Sequence, residues 1–226
     1  MVSPLSVALE FLFPGSCVVC GRELCRICPE HRPQFLSPEG RCPRCFFQLH
    51  RGKCLKCLGQ EIFFDSHRSL YSYNASIRQL IGRWKFENDR PIGGLWISAL
   101  TEILGQMGAD RAGAIDSERR LRSFRPARDL LRAAGIAKVP CGIDLRKKRI
   151  ARTRKQSQRN QAGRYFEVRD SLELLRDLSR VEHYVLLDDV FTTGATANEA
   201  ARMLKKCGVS RVSVLTIAMR EELELE

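Results

Sequence analysis

The residues of this chain whose types and spacing could do chemistry fall into two groups. Near the C-terminus, Asp188 and Asp189 are followed by Val190-Phe191 and then by Thr192-Thr193-Gly194-Ala195-Thr196. A short loop of Thr and Gly opening a helix converges backbone N–H groups and hydroxyls on one point, at the positive end of the helix dipole, and so forms a phosphate cradle. Two carboxylates immediately before such a loop, at the carboxyl end of a parallel strand, suit the vicinal hydroxyls of a ribose and a divalent cation associated with a sugar phosphate. A phosphorylated pentose satisfies both halves. The chain has no Gly-Lys-Ser/Thr here and no G-x-G-x-x-G, so neither a Walker A loop nor a dinucleotide fingerprint is present.

The second group is cysteine. Eight of the ten cysteines stand in four CxxC pairs, Cys17/Cys20, Cys25/Cys28, Cys42/Cys45 and Cys54/Cys57. Each pair can give two thiolates to one tetrahedral zinc, so four pairs supply two Cys₄ sites. A disulfide framework is the competing reading. The start of the chain lacks the basic residues and cleavage site of a secretory leader, which favours a reducing compartment, and zinc with it. Only four residues separate Cys20 from Cys25, a tight turn for two knuckles on one ion. The expected pairing is therefore crossed, with Cys17, Cys20, Cys42 and Cys45 on one zinc and Cys25, Cys28, Cys54 and Cys57 on the other. One zinc with the remaining thiols free, or His31 or His50 in place of a Cys, also satisfies the spacing. Such a module buries little surface and depends on metal to fold. His67 and His183 read as surface or structural histidines, and Cys141 and Cys207 as small core residues.

The elements that must position these groups are legible from periodicity. Tyr184-Val185-Leu186-Leu187 is the length and composition of a buried parallel strand. Ala197, Ala200, Ala201 and Leu204 then fall on one helical face, Gly208 caps the helix, and Arg211–Met219 forms the next strand. Upstream, Leu70–Tyr73 alternates as a strand, and Ile77, Leu80, Ile81 and Trp84 mark a helix. A second helix spans Ile92–Met107, with Leu95, Trp96, Ala99, Leu100, Ile103 and Leu104 on its apolar face. Ala112–Ile115 and Val139–Ile143 are short strands flanking a basic helix at Arg125–Ala134. Leu5–Phe13 reads as a short helix. The expected architecture is α/β, with a central parallel sheet flanked by helices over residues 63–226 and a Cys-rich zinc module over 1–62.

Val185–Thr196, VLLDDVFTTGAT, resembles the signature of type I phosphoribosyltransferases. That resemblance implies that Asp188 and Asp189 hold the ribose hydroxyls of phosphoribosyl pyrophosphate (PRPP), with Mg²⁺, and that Thr192, Thr193, Gly194, Ala195 and Thr196 hold its 5′-phosphate. An acid at the place of Thr192 is usual in enzymes acting on 6-oxopurines, so threonine there argues against that substrate class. Four CxxC pairs, the Tyr71-to-Phe86 stretch ending in Trp84-Lys85-Phe86, Arg159-Asn160 before Tyr165-Phe166, and the PRPP loop together resemble the ComF family of competence-associated proteins. Many members carry Pro-Val-Pro-Leu followed by basic residues and Gly-Phe-Asn-Gln where pyrophosphate is expected to be contacted. Here that region reads Ala114–Arg120 and Ser123–Pro126, which keeps the arginines but neither the proline-fixed turn nor the Asn-Gln.

A formal net charge of +12 points to an anionic partner. Nine Lys or Arg lie between Arg146 and Arg164. Two readings of this stretch stay open: contact with single-stranded DNA phosphates, or a loop that closes over PRPP. The acidic tail, Glu221, Glu222, Glu224 and Glu226, reads as solvated. No apolar run is long enough to span a membrane, and a cytoplasmic protein is expected. The family resemblance implies a role in DNA uptake during natural transformation, with single-stranded DNA and a helicase-like partner. The alternative is a phosphoribosyltransferase of nucleotide salvage, transferring phosphoribosyl from PRPP to a nitrogenous base.

Overall fold

The computed structural model describes residues 16–23, 27–87, 89–116, 126–148 and 170–221. The expected helix at Leu5–Phe13, Cys25, the basic run from Arg149 to Arg164, Tyr165-Phe166 and the end of the acidic tail lie outside the described residues. Among the described residues, six strands form one sheet: β1 (Ser66–Ser72), β2 (Arg111–Asp116), β3 (Cys141–Lys147), β4 (Leu172–Leu174), β5 (His183–Phe191) and β6 (Arg211–Met219). Their order is β1-β6-β5-β2-β3-β4, and every neighbouring pair is parallel except the β3–β4 edge.

Among the described residues, four helices accompany them: α1 (Ala75–Phe86), α2 (Arg90–Met107), α3 (Pro126–Ile136) and α4 (Ala195–Lys206). The side chain of Asn74 starts α1 by accepting a hydrogen bond from the Ile77 N–H at 2.9 Å. In α2 the buried stripe is Ile92, Trp96, Leu100 and Leu104, at strict i+4 spacing. Leu95, expected on that stripe, is instead exposed.

Successive side chains of a strand point to opposite faces, and β5 uses both. Val185 and Leu187 join the core beneath α1, α2 and α3, whereas Tyr184 and Leu186 join the core beneath α4. The second core also takes in Phe46, Phe47 and Phe64, so the later part of the Cys-rich segment packs on the same face of the sheet as α4, whereas Val18 and Ile27 pack against the first core. Glu221, expected to be solvated, makes an ion pair with Arg41 of that segment at 2.7 Å. Cys141 is exposed and Cys207 half-buried, so neither is the core residue expected of it.

One charged network lies within the sheet. Asp144, the lone acid before the basic run, is fully buried. Its carboxylate accepts from Arg111 Nε and Nη2 at 2.6 and 2.7 Å and from the Tyr184 hydroxyl at 3.0 Å, and makes an ion pair with Arg176 Nε at 2.9 Å. Burial pushes the Tyr184 phenol well above its ordinary range, helped by the Asp144 charge.

The strand order fixes where a ligand can sit. The β2–α3–β3 unit runs toward one edge of the sheet and β5–α4–β6 toward the other. The two halves diverge between β2 and β5, and the crevice at the carboxyl ends of strands that part in this way is where open α/β sheets bind ligands.

Candidate functional site

At that crevice β5 leaves one neighbour before the other. Its pairing with β2 ends at Ala114↔Leu187, whereas pairing with β6 continues through Asp188↔Thr216 to Phe191↔Met219. Asp188 and Asp189 are thus held in strand geometry on one side while the β2 side opens. The strand extends beyond the apolar run because β6 continues to pair with it. Asp188 Oδ1 accepts from the Asp189 N–H at 2.9 Å, and Asp189 makes an ion pair with Lys85 from the last turn of α1. Desolvation and the neighbouring Asp189 charge push the Asp188 carboxyl up to about 7, against the opposing pull of Lys85 and Lys147.

The loop follows directly. Gly194 caps α4 at φ 81°, in the left-handed region that glycine enters freely. Thr193 Oγ1 accepts from the Ala195 N–H at 3.3 Å, which draws the loop tight, and the Gly194 carbonyl accepts from the Asn198 N–H at 2.8 Å as the helix begins. Thr192 is exposed, Thr193 and Thr196 are half-buried, and Ala195 is buried. Both acids, near the end of β5, are therefore followed within the same crevice end by the five loop residues, which lead directly into the first turn of α4. This arrangement can hold a phosphate and accept hydrogen bonds from neighbouring hydroxyls.

Below the loop lies a support that sequence reasoning missed. Phe191 stacks on His67 with ring centroids 4.0 Å apart and meets Phe64 and Phe47 edge-on at 5.9 and 6.4 Å. His67 is buried, and burial pushes its pKa down to about 4. The Cys45 carbonyl, 2.9 Å from Nδ1, can only accept, so Nδ1 carries the proton and Nε2 accepts from the Thr216 hydroxyl at 3.0 Å. Asn198 completes the joint: its Oδ1 accepts from the Phe63 N–H at 2.7 Å, and its Nδ2 donates to the Glu61 carbonyl at 2.8 Å. A histidine and an asparagine more than a hundred residues apart in sequence give no local signal of this joint. An alternating strand around His67 could have flagged only its inward direction.

The cysteines assemble into two donor groups, but not in the crossed pairing. One is Cys17, Cys20, Cys28 and His31, and the other is Cys42, Cys45, Cys54 and Cys57. Within each group the ligand atoms all lie within 4.8 Å of one another. Sulfur pairs stand at 3.5 and 3.6 Å in the first group and at 3.3 and 3.8 Å in the second. Zinc–sulfur bonds of about 2.3 Å in a tetrahedron put sulfurs about 3.8 Å apart, so both groups fit zinc. The two leading knuckles repeat one pattern: the Cys17 and Cys42 N–H groups donate five residues ahead, and their carbonyls accept from four residues ahead.

Crossed pairing fails because the chain turns back on itself between the third and fourth knuckles. His50 and Lys53 exchange backbone hydrogen bonds at 2.9 and 3.0 Å around Arg51 and Gly52, both at positive φ, a two-residue hairpin that delivers Cys54 and Cys57 to Cys42 and Cys45. In the first group the 3₁₀ turn Pro29–His31 brings His31 Nδ1 to 2.9 Å from Cys28 Sγ, so histidine joins three cysteines. Two zinc-capable groups are therefore present among the described residues.

The family model of the phosphoribosyl transferase domain matches residues 121–226. The Competence protein ComFC of Streptococcus pneumoniae (strain ATCC BAA-255 / R6) is 26% identical over 184 residues, covering 79% of this chain and 80% of that protein. The chain is a ComF-like protein. It joins a phosphoribosyltransferase-like sheet flanked by helices to the Cys-rich, zinc-capable N-terminal segment. Solved structures similar to it include the orotate phosphoribosyltransferase of Aeropyrum pernix, 18% identical with a TM-score of 0.38, covering 73% of this chain and 75% of that one. Another is the glutamine PRPP amidotransferase of B. subtilis, 24% identical with a TM-score of 0.35, where the match covers 53% of this ComF-like chain and only 25% of that one. Among the described residues, no helix is long and apolar enough to cross a membrane.

Proposed function

We propose that this ComF-like protein binds PRPP, or a related ribose phosphate, at Asp188–Thr196 and acts in the cytoplasm in DNA uptake during natural transformation, handling incoming single-stranded DNA beside a helicase-like partner. The observation that carries the reading is the succession of two carboxylates at the end of β5 and a Thr/Gly loop opening α4, at the sheet's divergence point. In it, the first-turn amides of α4 and the Thr192, Thr193 and Thr196 hydroxyls hold the 5′-phosphate, and Asp188 and Asp189 accept from the ribose hydroxyls. Mg²⁺, when bound with the diphosphate, neutralises its charge. The Cys₃His and Cys₄ groups hold structural zinc, and the second of them carries the Cys45 carbonyl that orients His67 under Phe191 and the loop. A boundary near residue 62 separates the zinc module from the sheet domain. The ComFC relative supports the competence role, and the net charge of +12 supports a polyanionic partner.

The match of the phosphoribosyl transferase domain to residues 121–226 favours one other reading, a transferase of nucleotide salvage. Against it, Thr192 offers no carboxylate toward a purine. The two readings separate in one pair of assays on purified, zinc-replete protein. Fluorescence anisotropy with single-stranded oligonucleotides should show binding that weakens steeply with salt. Incubation of PRPP and Mg²⁺ with a panel of purine and pyrimidine bases should yield no base-dependent pyrophosphate. Rapid base-dependent release without DNA binding would assign the salvage reaction instead.

A further inference from the structure

We propose that Lys85 is a ligand-binding residue of this pocket, recognising the anionic group on C1 of the ribose, a diphosphate in PRPP. The proposal rests on the ribose-phosphate reading above. Lys85 is far from the acids in sequence and belongs to none of the loop motif, yet its ammonium meets the Asp189 carboxylate.

Three features separate it from an incidental surface lysine. The other acids near the end of α1 are occupied by Arg83, which reaches Glu87 at 3.3 Å and Asp89 at 3.2 Å. The helix is fixed at the preceding residue, because Trp84 is fully buried, donates from Nε1 to Asp129 at 2.8 Å and packs edge-on against Trp96 at 5.3 Å. Lys85 is thus presented from a rigid element, as a precise binding site requires. Its side chain is also 22% exposed and that of Asp189 19%, so the pair is partly open to solvent and not sealed in the core.

The chemistry follows from the sugar. If the acids take the vicinal hydroxyls at C2 and C3 while the loop takes the 5′-phosphate, the C1 substituent lies one bond beyond C2, beside the carboxylates. A lysine ammonium has three donors. One can stay on Asp189 while another reaches a phosphate oxygen at C1. The pair with Asp189 then does two things: it aims the ammonium, and it keeps two adjacent carboxylates from repelling a polyphosphate. A diphosphate is the ligand class that uses this cation, whereas ribose 5-phosphate, identical in the rest of its contacts, does not.

The comparison of those two ligands is the test. Calorimetric titration with PRPP and with ribose 5-phosphate, each with MgCl₂, should be run on the full-length zinc-replete wild type, Lys85→Met and Lys85→Arg, with zinc content and thermal midpoint as controls. Lys85→Met should weaken PRPP by about tenfold or more, the worth of one charge-assisted hydrogen bond. Ribose 5-phosphate should change by less than about threefold, because it loses only a partner's partner. Lys85→Arg should recover most PRPP affinity. Equal effects on both ligands would reduce Lys85 to a counter-ion of the acids and overturn the inference while leaving the pocket intact. A wild type that binds neither ligand would overturn the ribose-phosphate reading and this inference together.

Discussion

Replacing Gly194 with alanine tests the joint between the phosphate loop and the Cys-rich segment. Gly194 stands at φ 81°, where a Cβ costs about 1–2 kcal/mol for the backbone alone. That Cβ would also lie 2.5 Å from Phe191 Cζ and 3.0 Å from Cε1. The ring has nowhere to go, since it is stacked on His67, which is bonded through both nitrogens, and edged by Phe64 and Phe47. Overpacking against such a ring adds about 1–3 kcal/mol, for a total of about 2–5 kcal/mol. In a Phe191→Leu background the overpacking share is relieved and the cost of Gly194→Ala returns to about 1–2 kcal/mol, a coupling of about 1–3 kcal/mol. Urea denaturation of the wild type, both single variants and the double variant, followed by far-UV circular dichroism, measures all four corners. The reasoning is refuted if Gly194→Ala costs the same in both backgrounds, or if it costs less than about 0.5 kcal/mol.

Other consequences can be measured separately. Asp144→Asn leaves Arg111 and Arg176 facing an uncharged group in a fully buried position, and should lower stability by about 3–5 kcal/mol, read as a fall in denaturation midpoint. His31→Ala should drop bound zinc from two equivalents to one by atomic emission, because histidine is the fourth donor of the first group; retention of both ions would remove His31 from the ligand set. The Asp188 carboxyl, raised to about 7, must give up its proton to accept a ribose hydroxyl as a carboxylate. Ribose-phosphate affinity should therefore weaken as pH falls below about 7, approaching tenfold per unit. The sign for the unliganded fold is opposite: the folded chain keeps a proton that the unfolded chain has lost, so this contribution to stability disappears as pH rises from the ordinary carboxylate range through about 7. Asp188→Asn should flatten that decline in thermal midpoint.

The elements near the acids were legible because their signals are local. The strand ending at Met219 follows from a β-branched, largely apolar stretch interrupted only by Ser213 and Thr216, and α4 follows from alanines at helical spacing bounded by Gly194 and Gly208. What escaped was decided by pairing at a distance. Strand β4 is three residues long and exists because Leu172–Leu174 pairs with Leu145–Lys147. β1 begins at Ser66, four residues before the alternation that suggested it, because β6 extends alongside. The acids and loop form a contiguous motif and so stand out in the sequence, but Lys85, His67 and Asn198 reach that region from elsewhere in the chain and carry no motif. The zinc groups divide in the same way. CxxC spacing identifies knuckles, whereas their partnership depends on the hairpin at Arg51-Gly52 and on the turn that carries His31, and spacing alone favoured the wrong combination.

The central claim is that Asp188–Thr196 is a working ribose-phosphate pocket. Its most direct test is calorimetric titration of the zinc-replete protein with PRPP and Mg²⁺, beside an Asp188→Asn/Asp189→Asn double variant of matched zinc content. The account predicts saturable binding by the wild type and its loss in the variant. A folded wild type that gives no binding, or a double variant that binds as tightly as the wild type, would contradict it.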